Sequence, residues 1–440
     1  MRHPVRLSSL AHYRHPFLLF DRTSKARQLR ETLQQLHRRF GALLYVDISF
    51  KAVGLREASV QARSSPRLTS PLRFSVWASS GKKRKRKIPM KIAVTADAHL
   101  RAGAGHPERY NALENVFAQT VAAGIETLII AGDLFDKDFQ NYSEFESLCR
   151  DHPPVEVHII PGNHDPKISK KSITGANVHI YTEPEILEFD SLTFLFVPYE
   201  KNAKMGEKIA QLEHEIDGKE WVLVGHGDFY GGVKELNPLE PGTYMPLSRK
   251  DLGRFKPRTV FLGHIHKPHS PHDHVHYVGS PCGLDISETG HRRFLVYDTT
   301  DGISEPRAIE TDVLYFTETF LVLPREDEVP LLEQEIAKRI ESWNIGASDH
   351  SKVQVRVEAN GYAKDRSAVR EALERGFAGF AYYKDERPTI DNLSVSSDDQ
   401  LEAISERTMK LIEKLDWSFG GDEPTREEVE LAALSVIYGN

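Results

Sequence analysis

Five short stretches of this chain gather side chains that bind metals: Asp97-Ala98-His99, Gly132-Asp133-Leu134-Phe135-Asp136, Gly162-Asn163-His164-Asp165, Gly225-His226-Gly227 and Gly263-His264-Ile265-His266. Any one of them alone is what turn preference produces, because Asn, Asp and Gly favour turns. Five in series, each directly behind an apolar run, exceed that explanation. Carboxylate, imidazole and carboxamide together make a mixed oxygen and nitrogen shell without thiolate, which suits manganese, iron or zinc at a reactive centre better than a cysteine-held structural zinc. Two divalent ions about 3.5 to 4 Å apart need a bridging anion, and a carboxylate provides one. Water shared by such a pair becomes acidic enough to yield hydroxide near neutral pH, a nucleophile for phosphorus. Glycines beside the ligand types let backbone and substrate come close.

Strands must carry these groups to one place. Residues 91–97 form a short buried strand, and 109–124 repeat apolar side chains at three and four positions, predicting a helix stopped by Gly124. Residues 126–133 read as a second strand, a helix follows around 142–151, and 155–163 form a third strand. Two successive β-α-β units imply a layered α/β core. Residues 187–199 read as a hairpin, 220–228 and 258–267 as strands ending in polar loops, and 275–281 and 292–299 as two more strands. The expected core, 90–312, is therefore two facing sheets flanked by helices, four layers in all, with loops clustered at one end. After about Asp312 the grammar changes to a small α+β unit, 313–390: strand 313–324, helix 328–343, strand 352–361, helix 365–376 and strand 380–385. Two helices, 396–417 and 425–439, make up a tail over 391–440. No internal repeat and no glycine-rich phosphate loop occurs.

The 440 residues allow two or three domains. Two cysteines, Cys149 and Cys282, exclude a disulfide framework and any cysteine-rich zinc module, which points to a reducing, cytoplasmic setting. No run approaches the roughly 18 apolar residues that span a bilayer, and no apolar stretch near the start looks like a signal-peptide core, so no membrane role is expected. The net charge of -7 hides a division: residues 1–89 hold 20 Lys and Arg against four acids, +16, which leaves -23 for the remainder. The seam is a run of six basic residues, 82–87, shortly before Met90. The leader reads as a disordered extension, or as sequence upstream of a true start at Met90; its composition also allows an organellar-targeting or nucleic-acid-binding segment. Acidity in the body weighs against strong unaided binding of DNA, which rests mainly on Lys and Arg.

As a set, the five groups resemble the calcineurin-like metallophosphoesterases over roughly residues 90–298. The resemblance implies that Asp97, His99 and His266 bind one metal ion and Asn163, His226 and His264 the other, with Asp133 bridging. Manganese is the expected metal, with iron and zinc as alternatives. It also implies that His164 is a histidine outside the ligand set that acts on the substrate phosphate and the leaving oxygen, and that Asp165 orients this imidazole or its loop. Within the superfamily, the Asp-Ala-His-Leu start at 97–100, AGDLFD at 131–136, LGHIHKPH at 262–269 and the segment 275–298 look like the SbcD group of DNA repair exonuclease subunits. That likeness implies a nuclease hydrolysing DNA phosphodiester bonds, a capping domain after the core, a homodimer, and a coiled-coil ATPase partner of the SbcC kind docked through the terminal helices. Arg109, Asp136 and Lys167 are candidate substrate-binding residues, although a helix-face arginine is equally expected and a solvated lysine is the commoner explanation for Lys167. Asp136 stands where the archaeal and eukaryotic double-strand-break nucleases place a histidine. Of the six histidines in 264–276, His264 and His266 fit the pattern, while His269, His272, His274 and His276 read as loop or strand residues. Two other functions stay open: a phosphodiesterase or phosphatase for a small nucleotide or other metabolite, and a scaffold that keeps the fold without the chemistry.

Overall fold

The computed structural model describes residues 90–101, 105–136, 142–190, 192–230, 243–396, 398–415, 417 and 425–438. The expectations for residues 1–89 lie outside the described residues. The first sheet is built on three parallel strands, β1 (Lys91–Thr95), β2 (Thr127–Ala131) and β3 (Glu156–Ile160), connected through α1 (Pro107–Ala122) and α2 (Ser143–Asp151). β4 (Val178–Ile180) extends it beside β3. The second sheet opens with the hairpin β5 (Glu185–Phe189) and β6 (Leu192–Val197). After α3 (Met205–Gln211) and α4 (Glu213–Ile216) comes β7 (Trp221–His226), parallel to β6. A short pair, β8 (Phe229–Tyr230) and β9 (Leu247–Ser248), precedes α5 (Arg249–Phe255) and β10 (Thr259–Gly263), which lies parallel to β7. β11 (His269–His272) and β12 (Val275–Tyr277) complete this sheet, and β13 (Arg293–Asp298) and β14 (Ser304–Ala308) return to the first, β13 antiparallel to β1.

The strands read as continuous apolar runs because both faces are covered. Successive side chains point to opposite faces, so Ile92 and Val94 of β1 enter the layer between the sheets, with Ile129, Phe194, Phe196, Val222, Val224 and Phe261. Ala93, Leu128 and Ile130 turn the other way, against Leu113, Val116 and Phe117 of α1. On the far side of the second sheet, Leu195, Leu223 and Leu262 meet Met205 and Ile209 of α3. Four layers result, the architecture the sequence predicts. Pro107 sits in the first turn of α1, where its missing N–H costs nothing, and Gly124 ends the helix with a φ of 66°.

Beyond the two sheets, β15 (Leu314–Val322) and β16 (Val353–Ala363) pair in parallel from Leu314↔Val353 to Val322↔Gly361, connected through α6 (Glu328–Ser342). α7 (Arg366–Gly376), β17 (Ala381–Tyr382) and β18 (Leu393–Val395) complete this third sheet, and Trp343 stacks on Phe316 at 4.2 Å in its core. α8 (Asp399–Ile412) and α9 (Arg426–Tyr438) follow. The strand expected over 380–385 is reduced to Ala381–Tyr382, because the backbone turns at once into a short 3-10 element with Lys384 left-handed. β14 was not foreseen: its Ser-Glu-Pro-Arg-Ala sequence carries a proline, which the edge of a sheet tolerates. Among the described residues no helix is long and apolar enough to cross a membrane.

Candidate metal centre

The five groups stand at the C-terminal ends of parallel strands: Asp97 and His99 past β1, Asp133 and Asp136 past β2, Asn163 and His164 past β3, His226 closing β7, and His264 and His266 past β10. The chain turns sharply there. Asp97, His99, Asp133 and His264 take left-handed φ values of 53°, 45°, 48° and 91°. Such conformations cost on the order of 1 to 3 kcal/mol each and persist only where the surroundings enforce them. Enforcement comes from the backbone: the Asp97 N–H donates to Gly132 O at 3.0 Å, His99 N–H to Asp133 O at 3.0 Å and Leu100 N–H to Leu134 O at 2.9 Å. The His264 N–H donates to Asp97 Oδ1 at 2.9 Å, tying the second sheet to the first.

Side chains from both sheets then converge. His99 Nε2 lies 3.1 Å from His266 Nε2, and Asp133 Oδ2 lies 3.7 Å from His99 Nε2 and 3.2 Å from His226 Nε2. Asn163 Oδ1 is 2.9 Å from His226 Nε2 and 3.1 Å from His264 Nδ1. Three overlapping sets, Asp97/His99/His266, Asp97/Asp133/His226 and His99/Asp133/His164, each bring ligand atoms within 4.8 Å of one another. Asp97 is fully buried, and its Oδ2 has no hydrogen-bond partner. A buried carboxylate oxygen without a partner is costly unless a cation completes it, so the residues fit divalent metal. Asp97, His99 and Asp133 each belong to two of the three sets, so the sets share side chains and form one continuous cluster.

Burial raises the Asp97 carboxyl to about 6 and drives the His99 imidazole down to about 3. Burial would also lower His226, but the Asp133 and Asp97 carboxylates outweigh it and raise His226 to about 9. Desolvation of Asp133 is likewise overcome by His226 and His99, which hold its carboxyl well below the usual range.

The His164 N–H donates to Asp133 Oδ1 at 2.7 Å, its ring stands edge-on to His99 at 4.5 Å, and its Nδ1 lies 3.5 Å from Asp136 Oδ1. Asp136 also accepts from Arg101 Nε, and from Arg109 Nη1 at 3.3 Å. Arg109 is only 4% exposed and donates to His99 O at 2.7 Å, so its guanidinium buttresses the loop after β1 rather than facing solvent. Lys167 is exposed. Asp165 accepts from Gly162 N–H at 2.7 Å and Phe135 N–H at 3.0 Å. Of its two expected roles, this geometry serves the loop. His269 to His276 build the β11–β12 hairpin, where His276 Nδ1 meets Ser270 Oγ at 2.8 Å and His269 stacks on Tyr277.

Sequence reasoning missed several supports. Glu288 Oε1 lies 2.6 Å from His266 Nδ1, buried Asp228 lies 3.6 Å from His264 Nε2, and Arg101 holds Asp136. Asp228 had a signal, its place directly after Gly225-His226-Gly227. Glu288, in an irregular stretch 22 residues beyond His266, had none.

Residues 90–268 match the family model of the calcineurin-like phosphoesterases, which supports placing this part of the chain in that superfamily of metal-dependent hydrolases. The family match and the Asp/His clusters together suggest a dinuclear divalent metal site. Among solved structures, the protein TT1561 of Thermus thermophilus is similar over 50% of this chain and 99% of that one, at 12% identity and a TM-score of 0.35, too distant to carry an argument. The comparison with curated proteins gave no match.

Proposed function

We propose that this metal-dependent phosphoesterase is a DNA repair nuclease of the SbcD kind, hydrolysing phosphodiester bonds at DNA ends. The observation that carries the reading is the meeting of Asp97, His99, Asp133, Asn163, His226, His264 and His266 at one end of two sheets, with His164 beside them. In this reading Asp97, His99 and His266 hold one ion, Asn163, His226 and His264 the other, and Asp133 both, with manganese as the metal. When bound, the pair supplies Lewis-acid polarisation of the phosphodiester and a nucleophile derived from water.

The chain's own residues do the positioning. Asp133, by accepting the His164 N–H, sets the imidazole beside the cation sites. His164 turns Nδ1 toward the Asp136 carboxylate, so only the doubly protonated ring, stabilised by that carboxylate, carries a proton on Nε2 for the leaving oxygen. Arg101 and Arg109 keep Asp136 in place, and Asp165 keeps the Asn163–His164 loop against the loop after β2.

DNA is favoured by the likeness of residues 97–100, 131–136 and 262–269 to SbcD, and by the third sheet, proposed as a capping domain over 313–390. A body charged -23 outside the leader would recruit DNA with help, so a homodimer joined to a coiled-coil ATPase through 391–440, in the cytoplasm, completes the proposal. The same acidity favours a second reading, hydrolysis of a small nucleotide or other phosphoester. The full-length protein with manganese should be assayed on bis-p-nitrophenyl phosphate, single- and double-stranded DNA, and nucleotides. Cleavage of DNA supports the nuclease; an intact DNA substrate, with and without the ATPase, alongside saturable turnover of one nucleotide supports the second reading. Absence of both hydrolysis and bound metal would leave a scaffold.

A further inference from the structure

Between β12 and β13 the chain builds a loop around one buried carboxylate. Glu288 is 9% exposed. Its Oε1 lies 2.6 Å from His266 Nδ1, and its Oε2 accepts from Ser280 Oγ at 3.1 Å, Leu284 N–H at 3.2 Å and Arg292 Nη2 at 3.2 Å. Arg292, 3% exposed, also donates to His266 O at 3.0 Å. A buried carboxylate is tolerated only with full compensation, and here one oxygen is committed to the imidazole and the other to three donors. The loop is also anchored from the third sheet: Thr317 Oγ1 donates to Ile286 O at 3.0 Å, Gly290 N–H donates to Tyr315 O at 2.9 Å, and His291 Nε2 lies 3.0 Å from Trp343 O.

We propose that Glu288 is a positioning residue for the cation held by Asp97, His99 and His266, an inference that rests on His266 being a ligand. A neutral imidazole carries one proton on two nitrogens, and the acceptor it meets decides which nitrogen keeps it. By accepting from Nδ1, Glu288 fixes the tautomer in which Nε2 offers its lone pair, and Nε2 is the atom 3.1 Å from His99 Nε2. Arg292 balances the carboxylate charge and, through the His266 carbonyl, fixes the backbone of the same residue. The ring is thereby set in both tautomer and orientation before any ion arrives. The support extends outward to Tyr315, Thr317 and Trp343, so the third sheet helps hold the ligand.

The test titrates manganese alone into metal-free full-length protein by calorimetry, comparing wild type with Glu288→Gln, Ser280→Ala and His266→Ala. Cobalt absorption spectra report ligand geometry, and melting of the metal-free proteins reports folding. Glu288→Gln should weaken one of the two binding events by about 10- to 100-fold, leave the other unchanged and alter the cobalt spectrum. Ser280→Ala keeps the carboxylate but removes one of its donors, and should weaken the same event several-fold. A purely structural role would lower the metal-free melting temperature with both affinities and the spectrum unchanged, and that result overturns the proposal. Should Glu288→Gln not fold, Ser280→Ala decides, and wild-type affinity in it also overturns the proposal. If His266→Ala binds two ions as tightly as wild type, the ligand reading itself fails. If His266→Ala loses one ion while Glu288→Gln keeps both at full affinity, only the role of Glu288 falls.

Discussion

Gly162 leads into the loop that carries Asn163, His164 and Asp165, and it has no room for a side chain. A methyl group there would lie 2.1 Å from Asp133 Oδ1 and 2.4 Å from the Asp133 backbone nitrogen, where ordinary contact begins at 3.4 Å. The carboxylate cannot simply swing aside, because it accepts from the His164 N–H at 2.7 Å and faces His226 Nε2 at 3.2 Å. The loop and Asp133 must therefore separate by roughly 1 Å to restore contact. Misplacement on that scale costs on the order of 100-fold in rate, and overpacking of this kind costs about 1 to 3 kcal/mol. Gly162→Ala should accordingly lower kcat on bis-p-nitrophenyl phosphate with manganese by about 100-fold, with a matching loss in urea denaturation. Gly253→Ala, where an added methyl meets nothing within 4 Å, is the control and should keep the wild-type rate while stabilising α5 by up to about 1 kcal/mol. A Gly162→Ala protein with wild-type rate and stability would refute the close approach of loop and carboxylate on which the site is built.

His164→Asn should leave metal stoichiometry and folding intact while lowering kcat by roughly 100- to 10,000-fold; an unchanged kcat removes the imidazole from the reaction. Arg109→Met removes buried donors to His99 O and Asp136, and urea unfolding should show a loss of about 1.5 to 3 kcal/mol; a change near zero would mean the guanidinium is not the buttress described above. His158, 8% exposed, meets the Tyr181 hydroxyl at 2.7 Å and stacks on His179, and burial drives its imidazole from 6.5 to about 3. The unfolded chain binds that proton below 6.5 and the folded chain only near 3, so stability is lost as the pH is lowered from 6.5 toward 3, by up to about 1.4 kcal/mol per unit. His158→Phe should flatten the pH dependence of the urea midpoint there, and a slope equal to wild type would refute the assignment.

The strand-end groups were legible because each ligand type follows a continuous apolar run, so spacing alone put Asp97, Asp133 and Asn163 at successive strand ends. The period-3.6 pattern marked α1 through Leu113, Val116 and Phe117 for the same reason: each must face the first sheet. Residues that support the ligands were not legible. Glu288 reaches His266 through a loop whose course depends on Arg292 and on the third sheet, and nothing local in Ile-Ser-Glu-Thr-Gly marks it. Arg109 stood on a readable helix, yet its direction, inward to His99 O, follows from tertiary packing alone. The edge strands β14 and β18 escaped because short segments on a rim need little apolar patterning.

The first sheet supplies Asp97, Asp133 and Asn163, and the second supplies His226, His264 and His266. Along most of the seam the sheets adhere through hydrocarbon such as Phe194, Val222 and Phe261, but at this rim polar groups face each other instead. Cations seated there would act as rivets between the two halves of the sandwich, stabilising it by mass action. A chelator would then loosen the rim as well as stop turnover, and the lifetime of the folded protein in a cell would follow its supply of divalent ions.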